Sequence, residues 1–220
     1  MTDQSKPLLY FVTSQPMSVV AFLMPHLRAL ASVAKIQVLA NTDDPDFLKG
    51  RGLDLPMVPV GIERAILPWQ DLLALVALYK SFVVNKPDAV HTITPKAGLL
   101  GMVAAWLARV PVRVHSFTGQ VWVTRRGPMR WLLKAADKCI AALATDVLVD
   151  SPSQRTFLIE QGVVTAQRST VLAWQCECWC SVVPALQGYL CTQGAWCAGC
   201  VSSCSTRLCW DCRAGGCQVL

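Results

Sequence analysis

Two short stretches of the 220-residue chain carry the polar side chains best placed for chemistry. Residues 89–98 and 112–122 each begin as an apolar run, reach His, Ser or Thr, and then break at Pro or Gly. This pattern is typical of parallel strands that end in loops, and the apolar segment 99–109 between them has the length of a helix. The right-handed crossover of such a unit places both strand ends at one sheet edge, where open α/β sheets bind ligands. We therefore expect six side chains to converge on one cleft: His91, Thr94, Lys96, His115, Thr118 and Gln120.

The segment Thr94–Gly98, with the sequence TPKAG, lies where the first of these strands gives way to the helix. Backbone N–H groups at the start of a helix can hold an anion, and the ammonium group of Lys96 can neutralise it. In the alternative interpretation, Pro95 and Gly98 only shape a tight turn and Lys96 is solvated. Both interpretations fit the residues.

The elements that would position these residues alternate between strand and helix, which predicts a Rossmann-like, doubly wound parallel α/β sheet. We expect Ser18 to cap the first helix and Pro25 to kink it or delay its start. Pro59 lacks a backbone donor and places the third strand at an edge of the sheet. The predicted strands cover residues 8–12, 35–39, 57–60, 90–93, 112–117, 146–149 and 169–173. The predicted helices cover residues 18–33, 68–85, 98–109, 128–144 and 151–160.

The loop after the first predicted strand argues against a dinucleotide cofactor. A dinucleotide-binding sheet carries Gly-x-Gly-x-x-Gly at this point, because glycines let the backbone approach the pyrophosphate. Residues 13–18 read TSQPMS and contain no glycine. We therefore expect no cofactor, and we assign no metal site to the α/β part of the chain.

The composition is apolar for a soluble protein, with 53% hydrophobic and 15% charged residues. No apolar run reaches the roughly 18 to 20 residues of a membrane-spanning helix, and the first residues do not resemble a signal peptide. These features predict a cytosolic domain. The net charge of +6 lies entirely within residues 1–173. It fits a membrane surface or a phosphorylated substrate, and it is too small and too scattered to indicate nucleic acid.

Three strings, HTITPKAGLLG, HSFTGQVW and DSPSQRTFLIEQGVV, resemble the amino-terminal domain of family 4 glycosyltransferases. The resemblance covers residues 6–173 and is strongest to bacterial enzymes that add sugars to lipid carriers for surface polysaccharide, lipopolysaccharide or glycoprotein glycans. It implies the amino-terminal half of a two-domain GT-B fold. It also implies transfer of a sugar from a nucleotide-sugar donor, bound by the other domain, to a lipid-linked acceptor at the inner face of the plasma membrane.

The resemblance also assigns roles within the expected cleft. A lipid-pyrophosphate-linked acceptor would supply the anion for the TPKAG segment. One histidine at a strand end is more often structural than catalytic, but two at one edge strengthen a functional interpretation. His91 and His115 could orient acceptor hydroxyls or donate to charge on a leaving phosphate, and His115 is the catalytic candidate. The implied acceptor contacts are His91, Thr94, Pro95, Lys96, Gly98, Thr118, Gly119 and Gln120.

Residues 121–138 form the candidate membrane contact. A basic helix face beside tryptophan suits anionic lipid headgroups, each Lys or Arg near the surface contributing about 1 kcal/mol. An ordinary solvated helix face is the commoner explanation of such a pattern, and the resemblance to lipid-carrier transferases favours the membrane. The predicted contact residues are Trp122, Arg125, Arg126, Arg130, Trp131 and Lys134.

The cysteines divide the chain unevenly. Ten of the eleven lie in residues 174–220, and the eleventh, Cys139, falls in a helix pattern where we expect it to be buried. Two C-x-x-C pairs, Cys197–Cys200 and Cys209–Cys212, could bind zinc, although their spacing is shorter than usual and six cysteines are left over. A disulfide framework fits poorly with a cytosolic first part.

A slipped reading frame is the third explanation, and the one we favour. Dropping one base from the codons of Trp174–Cys180 gives Gly, then Ser or Asn, Val or Ala, Ser or Asn, Val or Ala, and Gly. This string resembles the small-residue linker to the second domain of the family. We therefore divide the chain into an acceptor-side domain, residues 1–173, and an irregular, non-native or disordered Cys-rich tail, residues 174–220.

The sequence thus supports a glycosyltransferase as the first hypothesis, with the acceptor-side domain present and the donor-side domain missing. We expect the 220-residue chain to lack transferase activity by itself, because the tail offers only two arginines and no lysine to grip a nucleotide diphosphate. One alternative is a non-enzymatic membrane-surface module with a metal-binding tail. Another is a fragment of a sugar-nucleotide epimerase, which shares the architecture.

Overall fold

The computed structural model describes residues 6–171, which lie within one compact unit. It contains seven strands and six α-helices, which alternate except that two helices follow the first strand and no α-helix separates the second strand from the third. The strands are β1 (Leu8–Thr13), β2 (Lys35–Ala40), β3 (Met57–Pro59), β4 (Ala89–Ile93), β5 (Val112–Phe117), β6 (Asp146–Val149) and β7 (Ser169–Val171). The helices are α1 (Pro16–Phe22), α2 (Met24–Leu30), α3 (Pro68–Asn85), α4 (Pro95–Leu107), α5 (Gly127–Leu143) and α6 (Pro152–Glu160).

All strand pairs are parallel, and the sheet has the order β3-β2-β1-β4-β5-β6-β7. The predicted Rossmann-like, doubly wound fold is therefore confirmed, with the Pro59-containing strand at an edge as expected. Strand order reverses between β1 and β4, which makes the carboxyl ends of these two strands the switch point where α/β sheets bind ligands. The site should therefore be sought between the loops that follow β1 and β4.

The helices lie on both faces of the sheet. Right-handed crossovers place α1 and α2 on one face and α3 to α6 on the other. On the second face α4 packs against β1, β4 and β5, with α3 on one side of it and α5 on the other. Both faces of the central strands are thus covered, which explains why they read as continuous apolar runs.

The first helix pattern breaks into two helices. Leu23 leaves the helical conformation with φ −121°, and Pro25 lies in the first turn of α2, where a proline needs no N–H partner. The expected effect of Pro25 is thus confirmed. The expected cap at Ser18 is wrong, because α1 already begins at Pro16, after Gln15. At α6 the Ser151 hydroxyl accepts a hydrogen bond from the Gln154 N–H, as expected of an N-cap.

Two glycines of α4 set how closely this helix approaches the sheet. A Cβ at Gly98 would lie 2.5 Å from His115 Cε1, and one at Gly101 would lie 2.6 Å from Thr92 Cγ2. Real Cβ atoms essentially never come this close, so either α4 or the side chains of His115 and Thr92 would have to shift. Gly98, which we predicted to contact the acceptor, is therefore required by packing.

Two further expectations concern the cysteines. Cys139 is exposed on α5, so the prediction that it is buried is wrong. The Cys-rich residues 174–220 and the boundary proposed at residue 173 lie outside the described residues, and the proposals made for them stay predictions.

We predict that Gly98→Ala destabilises the fold by about 1–3 kcal/mol, because the added methyl group overpacks the contact with His115. Gly50→Ala is the matched control, since a Cβ there meets nothing within 4 Å, and it should change stability by less than about 1 kcal/mol. Urea unfolding followed by circular dichroism measures both. Equal stability of the two variants would contradict the packing argument.

Candidate functional site

The two histidines project to opposite faces of the sheet. In the register of β4 and β5, His115 lies beside Thr92, and His91 lies beside Val114. Side chains alternate between faces along a strand, so this offset of one residue separates the two rings. His115 faces α4 at Gly98, whereas His91 packs against Phe11, with ring centroids 5.3 Å apart.

Both histidines are buried and hydrogen-bonded. His91 is 2% and His115 1% exposed. His91 Nε2 lies 2.7 Å from Ser116 Oγ, and His115 Nδ1 lies 2.7 Å from Thr92 Oγ1. Burial lowers the pKa of His115 to about 3, and burial together with the charges of His115 and His26 lowers the pKa of His91 well below 6.5. The expected convergence of both rings on one cleft is therefore wrong. They are neutral groups that join β4 to β5 in the core.

Thr94 lies at the switch point in an unusual backbone conformation. Its φ is 72° and its ψ is 142°, a combination that is strained for a β-branched residue. Its Oγ1 lies 2.6 Å from Ser14 Oγ at the end of β1. The hydroxyl pair therefore joins the loops after β1 and β4 across the crevice and orients the first turn of α4.

Lys96 is already paired in this structure. Its ammonium group lies 2.5 Å from Asp71 Oδ1 on α3 and also donates to the Ala65 carbonyl. Both charged side chains are about one-sixth exposed, at 17% each. An anionic ligand at the start of α4 would therefore compete with Asp71 for Lys96. Pro95 is the first residue of the helix and supplies no N–H.

The loop after β5 offers a hydrogen-bond donor. Gly119 adopts φ 141°, a conformation that favours glycine, and turns the chain before Gln120. The Gln120 Nε2 atom is buried and has no hydrogen-bond partner among residues 6–171. Thr118 precedes it and is half-buried. An unsatisfied amide at the ligand-binding edge is a candidate donor to a ligand oxygen.

A cavity of about 390 Å³ opens beside the switch point, beyond the ends of β1, β2 and β3. Its lining combines charged and amide groups with apolar surface, which suits a sugar, with its hydroxyls and apolar ring faces. Half of these residues lie in the loop after β1, where the family resemblance implies acceptor contacts, whereas the residues after β2 and β3 were missed in the sequence. The lining residues are Ser14, Gln15, Pro16, Met17, Asn41, Phe47, Glu63 and Arg64.

The predicted membrane segment divides into exposed and buried parts. Arg125, Arg126 and Arg130 are exposed, and Trp131 is 74% exposed. Trp122 is only 1% exposed, so its predicted membrane contact is wrong. The remaining candidate, Lys134, is half-buried and donates to Gln161 Oε1 at 2.9 Å.

Trp122 instead anchors this segment to the core. Its Nε1–H donates to Asp137 Oδ2 at 2.7 Å, and its ring stacks on Phe157 with centroids 5.6 Å apart. Burial raises the pKa of Asp137 to about 6, and the hydrogen bond from Trp122 acts in the opposite direction. A carboxyl with a raised folded pKa contributes less stability as the pH rises from about 4 to about 6. The N–H group of the indole is therefore hydrogen-bonded inside the protein.

Comparison with known proteins identifies the family. The model of the glycosyl transferase 4-like domain matches residues 18–174. The chain belongs to this family. The resemblance noted in the sequence is thereby confirmed, and the TPKAG and FTGQ loops are those of a glycosyltransferase domain.

Two curated relatives are glycosyltransferases. The capsular polysaccharide biosynthesis glycosyltransferase CapM of Staphylococcus aureus is 30% identical over 115 residues, which cover 52% of this chain and 30% of CapM. The UDP-Gal:alpha-D-GlcNAc-diphosphoundecaprenol alpha-1,3-galactosyltransferase of Escherichia coli is 39% identical over 79 residues, which cover 34% of this chain and 20% of that enzyme. The matched region thus spans less than a third of either relative.

Solved structures show the same fold at low identity. Anabaena Alr3699/HepE in complex with UDP superposes with a TM-score of 0.57 at 15% identity, covering 76% of this chain and 43% of that one. The UDP-GlcNAc 2-epimerase of Methanocaldococcus jannaschii gives a TM-score of 0.57 at 19% identity, covering 75% and 45%. These similarities support the half-of-GT-B architecture and carry no information about the reaction.

Within residues 6–171 no group of three or more His, Cys, Asp or Glu side chains is arranged to hold a metal ion. In the same range no helix combines the length and the hydropathy needed to cross a bilayer.

The buried, neutral state of His115 predicts a specific pH dependence. Its folded pKa is lowered, so its contribution to stability is present above pH 6.5 and is lost as the pH falls towards about 3. His115→Asn removes this titration. The stability difference between pH 7 and pH 5 should therefore shrink by about 2 kcal/mol relative to wild type.

Urea unfolding at the two pH values gives this difference. The opposing titration of Asp137 is present in both proteins and cancels. An unchanged pH dependence in the variant would show that the folded protein protonates His115 freely.

Proposed function

We propose that this domain holds the lipid-linked acceptor of a glycosyltransferase that takes its sugar from a nucleotide-sugar donor. The family membership supports sugar transfer, and the name of the Escherichia coli relative describes an acceptor sugar linked through a diphosphate to a lipid. The main structural support is the buried, unsatisfied N–H group of Gln120, which lies in the loop after β5 at the carboxyl edge of the sheet.

In this proposal the acceptor sugar occupies the cavity beside Ser14, where Asn41, Glu63 and Arg64 bind hydroxyl groups. The diphosphate lies against the start of α4, with Lys96 as its cation. Thr94 and Gly119 shape the loops that border it. His115 lies in the core beneath this site, where it holds β5 against β4. It is a positioning residue and does not touch the substrate.

The proposed location is the inner face of the plasma membrane, because a lipid-linked acceptor is embedded there. The exposed part of the predicted membrane segment supports this, because Arg125, Arg126, Arg130 and the ring of Trp131 are all exposed. Such a basic and aromatic surface suits anionic headgroups. No nucleic-acid partner is proposed.

The ion pair between Lys96 and Asp71 makes the acceptor proposal testable on the 220-residue chain. Asp71→Asn releases Lys96 and should tighten binding of a soluble, short-chain glycosyl diphosphate about threefold to tenfold, whereas Lys96→Ala should weaken it by a similar factor. Isothermal titration calorimetry measures both.

Asp54→Asn is the matched control, because it makes the same charge change at an exposed residue outside the cavity lining. Unchanged binding in both the Lys96 and Asp71 variants would mean that the ion pair only fastens α3 to α4. Absence of any binding by the wild-type chain would contradict the acceptor proposal itself.

We further propose that residues 1–220 alone do not catalyse transfer. Donor and acceptor must be held together for the reaction, since positioning supplies much of the rate. The segments that match this chain cover only 30% of CapM and 20% of the galactosyltransferase. The purified 220-residue chain should therefore incorporate no radiolabelled sugar into membrane lipid above a vector control. Incorporation of radiolabelled sugar above that control would contradict this part of the proposal.

A further inference from the structure

The loop between β2 and β3 places one aromatic side chain beside the cavity. Phe47 lines the cavity and is half-buried, so its ring does not belong to the buried core. The next residue, Leu48, is fully buried and anchors this part of the loop to the core instead. Core packing therefore does not account for the aromatic ring at position 47.

The loop that carries Phe47 is held in place by hydrogen bonds before and after the ring. The N–H group of Asp46 donates to Asp44 Oδ1 at 3.0 Å. The N–H group of Met57, the first residue of β3, donates to the Pro45 carbonyl at 2.9 Å and ties the loop to the sheet. A loop that is ordered before the ligand arrives loses less conformational freedom on binding, which favours affinity.

Arg51 fixes the orientation of the Phe47 ring. Its guanidinium carbon lies 3.7 Å from the ring centroid, and its Nη1 donates to the Phe47 carbonyl at 2.8 Å. Arg28 on α2 in turn donates to the Arg51 carbonyl at 3.3 Å. The residues that line the cavity include Phe47 but not Arg51, so the cavity meets the ring at its other face or at its edge. One face of the ring is thus covered by a cation, and the remaining ring surface is open to a ligand.

The other walls of the cavity carry hydrogen-bonding groups. Asn41, Glu63 and Arg64 supply an amide, a carboxylate and a guanidinium group, which together offer both donors and acceptors. The volume of about 390 Å³ falls within the roughly 300–1,000 Å³ of small-molecule sites. The ligand that suits such walls has hydroxyl groups at its rim and C–H groups on a flat face. A pyranose ring has both, and its C–H groups can pack on an aromatic face, which carries partial negative charge.

We propose that Phe47 is the stacking platform for the acceptor sugar and contacts the C–H groups of one pyranose face. The inference rests on the proposed acceptor-binding role and names the side chain that holds the sugar ring. A nucleobase is the alternative occupant, because bases also stack on aromatic side chains. The set of Asn41, Glu63 and Arg64 favours the sugar, since a hydroxyl group both donates and accepts hydrogen bonds.

Calorimetric titration of the purified 220-residue chain tests this role. The ligands are octyl diphosphate and the octyl diphosphates of glucose, galactose, N-acetylglucosamine and N-acetylgalactosamine. At least one sugar should raise the affinity about threefold or more above that of octyl diphosphate. Phe47→Leu should weaken binding of that glycosyl ligand about threefold to tenfold and leave binding of octyl diphosphate within about twofold of wild type.

Two further variants separate stacking from general effects of substitution. Phe47→Tyr keeps the aromatic face and should bind the glycosyl ligand within about twofold of wild type. Tyr79→Leu is the matched control, because it removes a partly exposed aromatic ring that lies on α3 outside the cavity lining. It should leave both affinities within about twofold of wild type. Circular dichroism and urea unfolding verify that each variant folds.

Proton NMR of the bound ligand gives a readout that a loss of stability does not mimic. The C–H protons on one pyranose face should move upfield on binding to the wild-type chain, because protons above an aromatic ring are shielded by it. The shift should be absent with Phe47→Leu at equal saturation. Absence of any upfield shift with the wild-type chain would overturn the inference without the use of a variant.

Three results of the titrations would also overturn it. They are unchanged binding of the glycosyl ligand by Phe47→Leu, an equal loss for octyl diphosphate and the glycosyl ligand, and displacement of the glycosyl ligand by uridine with the same dependence on Phe47. Failure of the wild-type chain to bind any of these diphosphates would contradict the acceptor proposal itself. Wild-type binding that does not depend on Phe47 contradicts only the stacking role, so the two failures are distinguishable.

Discussion

The close approach of α4 to β4 and β5 is the contact on which the site depends. Gly98 over His115 and Gly101 over Thr92 leave no space for side chains, so the helix lies directly on the sheet. The same contact encloses the His115 ring and keeps it neutral. It also sets the height of the first turn of α4, and with it the positions of Thr94 and Lys96 beside the end of β1. Packing in the core therefore decides the geometry of the crevice above it.

The elements of the fold were predictable because their signals are local. Proline at the first turn marked the start of α3, and a serine cap with a following proline marked α6. Residues that come together through strand pairing were harder to predict. An offset of one residue between β4 and β5 sends His91 and His115 to opposite faces, and no local pattern encodes that register.

The burial of Trp122 shows the same limit. Its neighbours are exposed and basic, so the local sequence suggests a surface residue. The indole is buried because Asp137, fifteen residues later, supplies a partner for its N–H, and Phe157 supplies a stacking surface. The part of the cavity beside Ser14 that follows β2 and β3 was missed for a related reason, since the walls come from three separate loops, one after each of β1, β2 and β3. Only the strand order brings those loops together.

The topology also explains how membrane contact and substrate binding can share one edge. In a parallel α/β sheet every crossover helix begins near the carboxyl ends of the strands, where ligands bind. Outer positions in the first turns of α3 and α5 take no part in the core, so Trp69 and Trp131 can be apolar without disturbing the packing beneath them. Lys96 connects the binding edge to α3, because its partner Asp71 belongs to the first turn of that helix. An anion that displaced Asp71 from Lys96 would therefore act on the start of α3 as well as on α4.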